Sequence, residues 1–274
     1  MSADHRAPIA VICALEEELT HLRAALPTGQ EATDGNRTVW HTSLGEQPII
    51  LALCGLGMMS AAAVAESVIS WYAPSAVLNY GCAGAHRPDL LLGDIIIGAR
   101  VVAYENVSER VDGTIRYVGM RYLRRGEQQR EPYLPAAPAL LDAALRVQAA
   151  LDGRHEPWPP ALGWPAAVPH RAPMLVIGTV ASADRWNRTP ASINALAALH
   201  DSYCEDMEAA AIAMTCASHA VPFLTVKDIS NNELLRATDS GTAVMIQAGA
   251  ELGKRAGKLV LGVLHELAAV PRPS

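Results

Sequence analysis

The 274-residue chain lacks an excess of positive charge: 22 Lys and Arg stand against 28 Asp and Glu, for a net charge of −6. A nucleic-acid-binding surface is strongly basic, so that class of partner is excluded at the outset. The one basic cluster, RYLRRGEQQR (121–130), is short and interrupted, and reads as a solvated loop or an interface. Long apolar runs are also missing. The longest weakly polar stretch, about 57–85, carries Glu66 and is broken by small residues and Pro74, so it reads as a helix followed by a strand and not as a membrane span. The opening MSADHRAP has no apolar signal core. Five cysteines, an odd number without CxxC or zinc-ligand spacing, argue against a disulfide framework or a structural metal and fit reduced thiols in the cytoplasm. Repeats, a P-loop, a dinucleotide glycine fingerprint and a Ser–His–Asp pattern are absent too. No metal or cofactor is therefore expected.

What is present is a chain that is half apolar, enough for a substantial core. Strand-like runs alternate with helical ones along its whole length. PIAVICAL (8–15) passes into EEELTHLRAAL; TVWHTSL (38–44) and PIILALCGLG (48–57) precede a helix over 58–73; SAVLNYGCAGA (75–85) reads as a strand running into a glycine-rich turn. A strand over 93–107, a helix over 134–151, a strand over 173–182, helices over 191–200 and 207–220, a strand over 222–230 and a long helix over 243–269 complete the series. The alternation predicts a single α/β domain, 1–274, with a mainly parallel central sheet. Residues 152–173, rich in Pro and Trp and without periodicity, form an irregular insert.

Ligands in open α/β sheets bind beyond the carboxyl ends of the strands. After the first strand stand Glu16, Glu17 and Glu18. Acidic residues complement the dipole of a helix's first turn, but helical spacing groups Glu18 with Leu15, Leu19 and Leu22, on the face that packs toward the sheet. GCAGA (81–85) allows close backbone approach to a ligand, or makes a tight turn. In EDMEAAAIA (205–213), Glu208 opens an apolar, buried helix, where a carboxylate needs a partner; Asp206 is a natural N-cap. FLTVKDISNNE (223–233) brings a polar strand end, Lys227 to Asn231. Two carboxylates, small residues and hydrogen-bonding groups around a cleft suit hydrolysis of a glycosidic bond through an oxocarbenium-like transition state.

The order ALEEEL, CGLGMMSAAA, NYGCAGA, LLGDIII, ASADRW, EDMEAAAIA, VPFLTVKDIS resembles the nucleoside phosphorylase superfamily over about residues 8–268, and within it the 5′-methylthioadenosine/S-adenosylhomocysteine nucleosidase branch. The resemblance implies a twisted mixed sheet in one α/β domain and a homodimer with sites near the interface. It implies that Glu18 activates the attacking water. Glu208 would accept hydrogen bonds from the ribose 2′- and 3′-hydroxyls, with Met207 against the sugar. Trp186 would stack on the purine, and the backbone of Asn187 would read the base edge. Cys82 stands where serine is usual beside the ribose, Lys227 replaces an arginine, and Asn231 replaces the aspartate that protonates purine N7.

An amide cannot deliver a proton, and general acid catalysis contributes roughly 10²–10⁴-fold, so Asn231 shifts attention to the base. Superfamily members that cleave 6-oxopurine nucleosides, futalosine hydrolases among them, are similar in having Asn there, where the amide can bridge N7 and O6. Asp228 is the alternative acid, its direction left open by strand alternation. Phosphorylases of the superfamily hold phosphate with arginines, one just before the glycine turn; that place is Asn79 here, and three clustered glutamates repel phosphate. The expected reaction is hydrolysis of a 5′-substituted purine nucleoside. The alternatives are a 6-oxopurine hydrolase, a phosphorylase and a non-catalytic nucleoside-binding protein.

Overall fold

The apolar run IAVIC forms the first strand, β1 (Ile9–Cys13), buried along its whole length as a strand covered on both faces must be. Helix α1 (Glu16–Ala25) follows at once. Then β2 (Gln30–Asp34), β3 (Arg37–Leu44) and β4 (Gln47–Leu53) make an antiparallel meander that returns β4 parallel to β1. Helix α2 (Met58–Tyr72) leads into β5 (Ala76–Ala85) and then β6 (Ile95–Ala103). Two hairpins come next, β7 (Val107–Glu109) with β8 (Ile115–Tyr117) and β9 (Met120–Arg124) with β10 (Glu127–Glu131). The chain goes on through β11 (Leu134–Pro135), α3 (Pro138–Leu151), β12 (Leu175–Ser182), α4 (Pro190–His200), β13 (Ser202–Asp206), α5 (Ala209–His219) and β14 (Phe223–Asn231), and ends in α6 (Lys254–Ala269). This computed structural model describes residues 6–34, 37–151, 154–235 and 248–270.

The sheet is mixed. β5 runs parallel to β1 and β14, and β12 parallel to β6 and β13, but β13 pairs antiparallel with β5 and β14 antiparallel with β6. Following those pairings, β6, β12, β13, β5 and β14 close a ring of five strands, with β1, β4, β3 and β2 extending from β5. Closure forces the carboxyl ends of β5, β13 and β14 around one rim. Apolar residues of α1, α3 and α6 cover one face, with Leu19, Leu140 and Leu259 at its centre. Those of α2 and α5 cover the other, with Val64, Val68 and Ile212. Burying each such side chain contributes about 1.5–3 kcal/mol.

Several expectations need correcting. The sheet is mixed, as the resemblance implies, and not mainly parallel as alternation alone suggests, because alternation does not reveal strand order. GCAGA is not a turn: β5 runs through Ala85, and among the glycines with positive φ neither Gly81 nor Gly84 appears. The final helix starts at Lys254, not near 243. Residues 249–251 form a 3₁₀ turn, and Gly253 with φ of 69° separates that turn from the helix; 236–247 lie outside the described residues. The basic stretch 121–130 is the exposed β9–β10 hairpin, turned at Arg125–Gly126 with positive φ at both as a two-residue hairpin loop requires. β2, β13 and both hairpins were not anticipated. The described part of the insert, 154–173, holds turns but no helix or strand.

Among the described residues no helix is long and apolar enough to cross a membrane. No three His, Cys, Asp or Glu side chains among them gather as a metal site.

Candidate active site

Glu18 is anchored by backbone donors. Helix α1 turns it toward the sheet, 3 % exposed. Its Oε2 accepts from the backbone N–H of Ala14 (3.2 Å) and Leu15 (3.1 Å), and its Oε1 from that of Cys82 (2.8 Å). Three backbone donors fix it at the end of β1 and satisfy the charge without a cation. Gly81 exists for this contact: a Cβ there would lie 2.5 Å from Glu18 Oε1. The small residues at the end of β5 thus admit a glutamate rather than make a turn. Cys82 lies beside it, half-buried. Burial, then the charges of Glu18 and Asp228, push its thiol well above the ordinary range, so it stays protonated.

Asp206 and Glu208 leave β13 in different directions. Asp206 Oδ2 accepts from Ala209 N at 2.9 Å, capping α5, and lies 2.7 Å from Lys227 Nζ. Ser182 Oγ donates to its other oxygen. Glu208 makes no capping bond. Its Oε1 accepts instead from Gly57 N (2.9 Å), on the loop before α2. Burial, with Asp206 adding to it, lifts the Glu208 carboxyl to about 7, against the pull of Lys227 and the Gly57 N–H. Burial opposes the charge on Lys227, but Asp206, Glu208 and Glu18 outweigh it and hold the ammonium charged, above the usual lysine range.

β14 decides the rest. Its odd positions face the α2–α5 side and its even ones the α6 side, as Ile229 and Val226 show. Lys227 therefore reaches Asp206. Asp228, fully buried, accepts from Gly253 N and Arg255 N, each at 3.1 Å, and caps α6. It does not line the cleft, so neither substrate contact nor acid catalysis falls to it. Between Ile229, opposite Ala83, and Asn231, opposite Gly84, the register shifts, which leaves Ser230 as an extra residue. Such bulges re-aim side chains, and here both Ser230 and Asn231 line the cleft. Asn231 Oδ1 accepts from Ser230 Oγ (3.1 Å), and its Nδ2 donates to Glu233 (3.1 Å). A Cβ on Gly84 would sit 3.2 Å from that amide.

Glu18, Cys82, Trp186, Met207, Glu208 and Asn231 all line one cleft of about 710 Å³, including the part open to solvent. Trp186 is half-buried, with the Arg188 guanidinium 4.5 Å from its ring centroid. Lys227 lies beneath the cleft floor. Asn187 is buried behind the wall: its N–H donates to Glu205 Oε1 (2.8 Å) and its Nδ2 to Glu205 Oε2 (2.6 Å). The backbone N–H expected to read the base edge is thus already engaged. Sequence reasoning missed Glu205, which lines the cleft, and Asp184, whose Oδ1 accepts from Met58 N (2.6 Å) at the start of α2. The signal for Glu205 was there: two adjacent acids ending a short strand cannot both face the same neighbours. Asn79 holds no anion; it donates to Ile12 O and accepts from Thr225 Oγ1.

Residues 8–265 match the family model described as the phosphorylase superfamily. The chain belongs to this superfamily. Its curated relatives include the 5′-methylthioadenosine/S-adenosylhomocysteine nucleosidase of Anoxybacillus flavithermus, 30 % identical over 224 residues, covering 81 % of this chain and 84 % of the relative. The Mycobacterium bovis enzyme of the same name is 26 % identical over 95 % of this chain and 98 % of its own. Among solved structures, the S-adenosylhomocysteine nucleosidase of Streptococcus pyogenes, bound to 5-methylthiotubericidin, superposes with a TM-score of 0.75 at 22 % identity, covering 97 % and 99 % of the two chains. The futalosine hydrolase of Helicobacter pylori gives 0.74 at 17 % identity, over 94 % and 97 %. At that identity the structural likeness speaks for the shared fold.

Proposed function

We propose that the chain is a purine nucleoside N-glycosidase, hydrolysing the N-glycosidic bond of a 5′-substituted purine nucleoside and releasing the free base. The observation that carries this reading is the pairing, in one cleft, of a backbone-anchored Glu18 with a buried Glu208 and the Trp186 ring. The nucleosidase names of the relatives support it.

Glu18 keeps lone pairs beyond its three N–H donors and is the base that takes a proton from water. Glu208, when ionised, accepts the ribose hydroxyls, and Met207 packs on the sugar. Asp206 holds Lys227 charged under them, stabilising the anionic Glu208. Trp186 offers a stacking face for the base, and Asn231 offers an amide to its N7 side. Water, not phosphate, is the nucleophile: Arg185, the one Lys or Arg among the described residues lining the cleft, is 59 % exposed in its side chain and faces Glu105 at 3.7 Å. A phosphate would instead meet Glu18 and Glu208.

A homodimer is part of this reading. Leu56, at 60 % exposure, lines the cleft, and Met59 (83 %) and Leu123 (63 %) are also exposed, an apolar surface that a second copy would cover. The five free cysteines suit a cytoplasmic enzyme.

The test is a panel of 5′-substituted nucleosides with and without inorganic phosphate, followed by release of free base. The expected result is release independent of phosphate, with the free sugar as second product. Strict phosphate dependence would overturn the assignment of water.

A further inference from the structure

The base end of the cleft carries a carboxylate, Glu205, that engages the N–H of the Asn187 backbone expected to read the base edge. Glu205 is 6 % exposed and lines the cleft with Trp186 and Asn231. Its backbone pairs with Gly84, the residue on which the Asn231 amide packs, so Glu205 and Asn231 share one end. Around its Oε2 gather the Asn187 amide, the Tyr104 hydroxyl (3.3 Å) and, at 3.4 Å, His86 Nε2. His86 is itself fixed by Ser202 Oγ at 2.7 Å from Nδ1. Oε1 is less crowded, with the Asn187 N–H at 2.8 Å.

A carboxylate oxygen has two acceptor sites and, when ionised, no donor. With Asn187 N–H on one site of Oε1, what remains to a ligand is an acceptor. Adenine offers its 6-amino donor but presents a lone pair at N1, and a lone pair set on a carboxylate is repelled and loses its water without compensation; the amino group also meets the Asn231 amide donor. A 6-oxopurine presents N1–H, a donor, and its O6 is an acceptor for the free hydrogen of the Asn231 amide. Both departures at this end, the carboxylate at 205 and the amide at 231, therefore suit the same base.

On this basis, and resting on the nucleosidase reading above, we infer that Glu205 is a specificity-determining residue that selects 6-oxopurine nucleosides over 6-aminopurine ones. Tyr104 and Asn187 are positioning residues that hold its carboxylate on the base edge.

The experiment compares kcat/KM for base release from 5′-methylthioinosine and 5′-methylthioadenosine, identical except at the base edge, in the full-length wild type and in Glu205→Gln. Gln retains an acceptor for Asn187 N–H but removes the charge. The wild type is expected to favour the inosine compound by tenfold to a hundredfold, roughly the worth of one charge-assisted hydrogen bond. Glu205→Gln is expected to cut that ratio at least tenfold, mostly through KM on the inosine compound. An unchanged ratio in the variant, or a wild type favouring the adenosine compound, overturns the inference and leaves the nucleosidase reading standing. Release of neither base by the wild type overturns both. Calorimetric titration of the wild type with hypoxanthine and with adenine needs no variant: adenine binding as tightly as hypoxanthine also overturns the inference.

Discussion

The two ends of the cleft are built in different ways. Glu18 is held by three backbone N–H groups, from Ala14, Leu15 and Cys82. Those donors belong to the junction between β1 and α1 and to β5, and no side-chain substitution short of proline removes them. At the other end, Asn231 is held by Ser230 and Glu233, and Glu205 by Tyr104 and Asn187, so most of the framework there is side chains. The difference teaches where a fold of this kind can change. A carboxylate anchored on the backbone is kept with the fold, whereas an end of the cleft braced by side chains can be rewritten one residue at a time. Glu208 stands between, with a backbone donor from Gly57 but a charge set by burial, Asp206 and Lys227.

The sharpest break of this contrast is at Glu18. Glu18→Gln sets an amide N–H₂ against one of three backbone donors and removes the base; a loss of at least about 10³-fold in kcat is expected. Single-turnover base release checks it, with thermal melting to confirm the fold. Activity within tenfold of wild type would remove Glu18 from the chemistry.

Lys227→Met is the next largest. It leaves Asp206 and Glu208 buried without their cation, which costs about 3–5 kcal/mol of stability for a broken buried pair. It also carries an electrostatic signature. In the wild type, kcat/KM should fall as pH drops through about 7, because Glu208 is raised by burial and Asp206 and must ionise to accept the ribose hydroxyls. Without Lys227 the limb moves to higher pH. Denaturant unfolding reads the first effect and a pH–rate profile the second; a limb that does not move separates Lys227 from Glu208.

The smallest effect on activity belongs to Asp228, on the far face of the same strand. Burial lifts its carboxyl to about 7, against Arg255 and the two backbone donors. A carboxyl raised in the folded state contributes stability below its unfolded pKa of about 4, and that contribution is lost as pH rises through about 7. Asp228→Asn does not titrate, so its melting temperature relative to wild type should rise between pH 5 and 8, with kcat/KM changed less than about threefold. A large loss of activity would return Asp228 to the cleft.

How much of this was legible in advance differs by residue. Glu18 followed from helical spacing, because Leu15, Leu19 and Leu22 must face the sheet and take position 18 with them. The burial of Glu208 followed from the alanines behind it. Asp228 was ambiguous, since alternation along a strand gives two faces but not which one meets the cleft. Asn231 reaches the cleft through the Ser230 bulge, and a bulge depends on the partner strand. Glu205 was passed over because its partners Tyr104 and Asn187 lie 101 and 18 positions away.

By itself, then, the sequence determined the α/β class, the apolar strands and helices, the carboxylates and small residues at the strand ends, and the chemistry those groups can perform. These are local properties, set by periodicity and side-chain type. Tertiary structure alone decided the closure of five strands into a ring, the use of Gly81 and Gly84 as room for Glu18 and Asn231, the separation of Lys227 from Asp228, and the place of the Glu205 carboxylate in the cleft. Each depends on which strand lies beside which, and that is fixed by the packing of residues far apart in the chain.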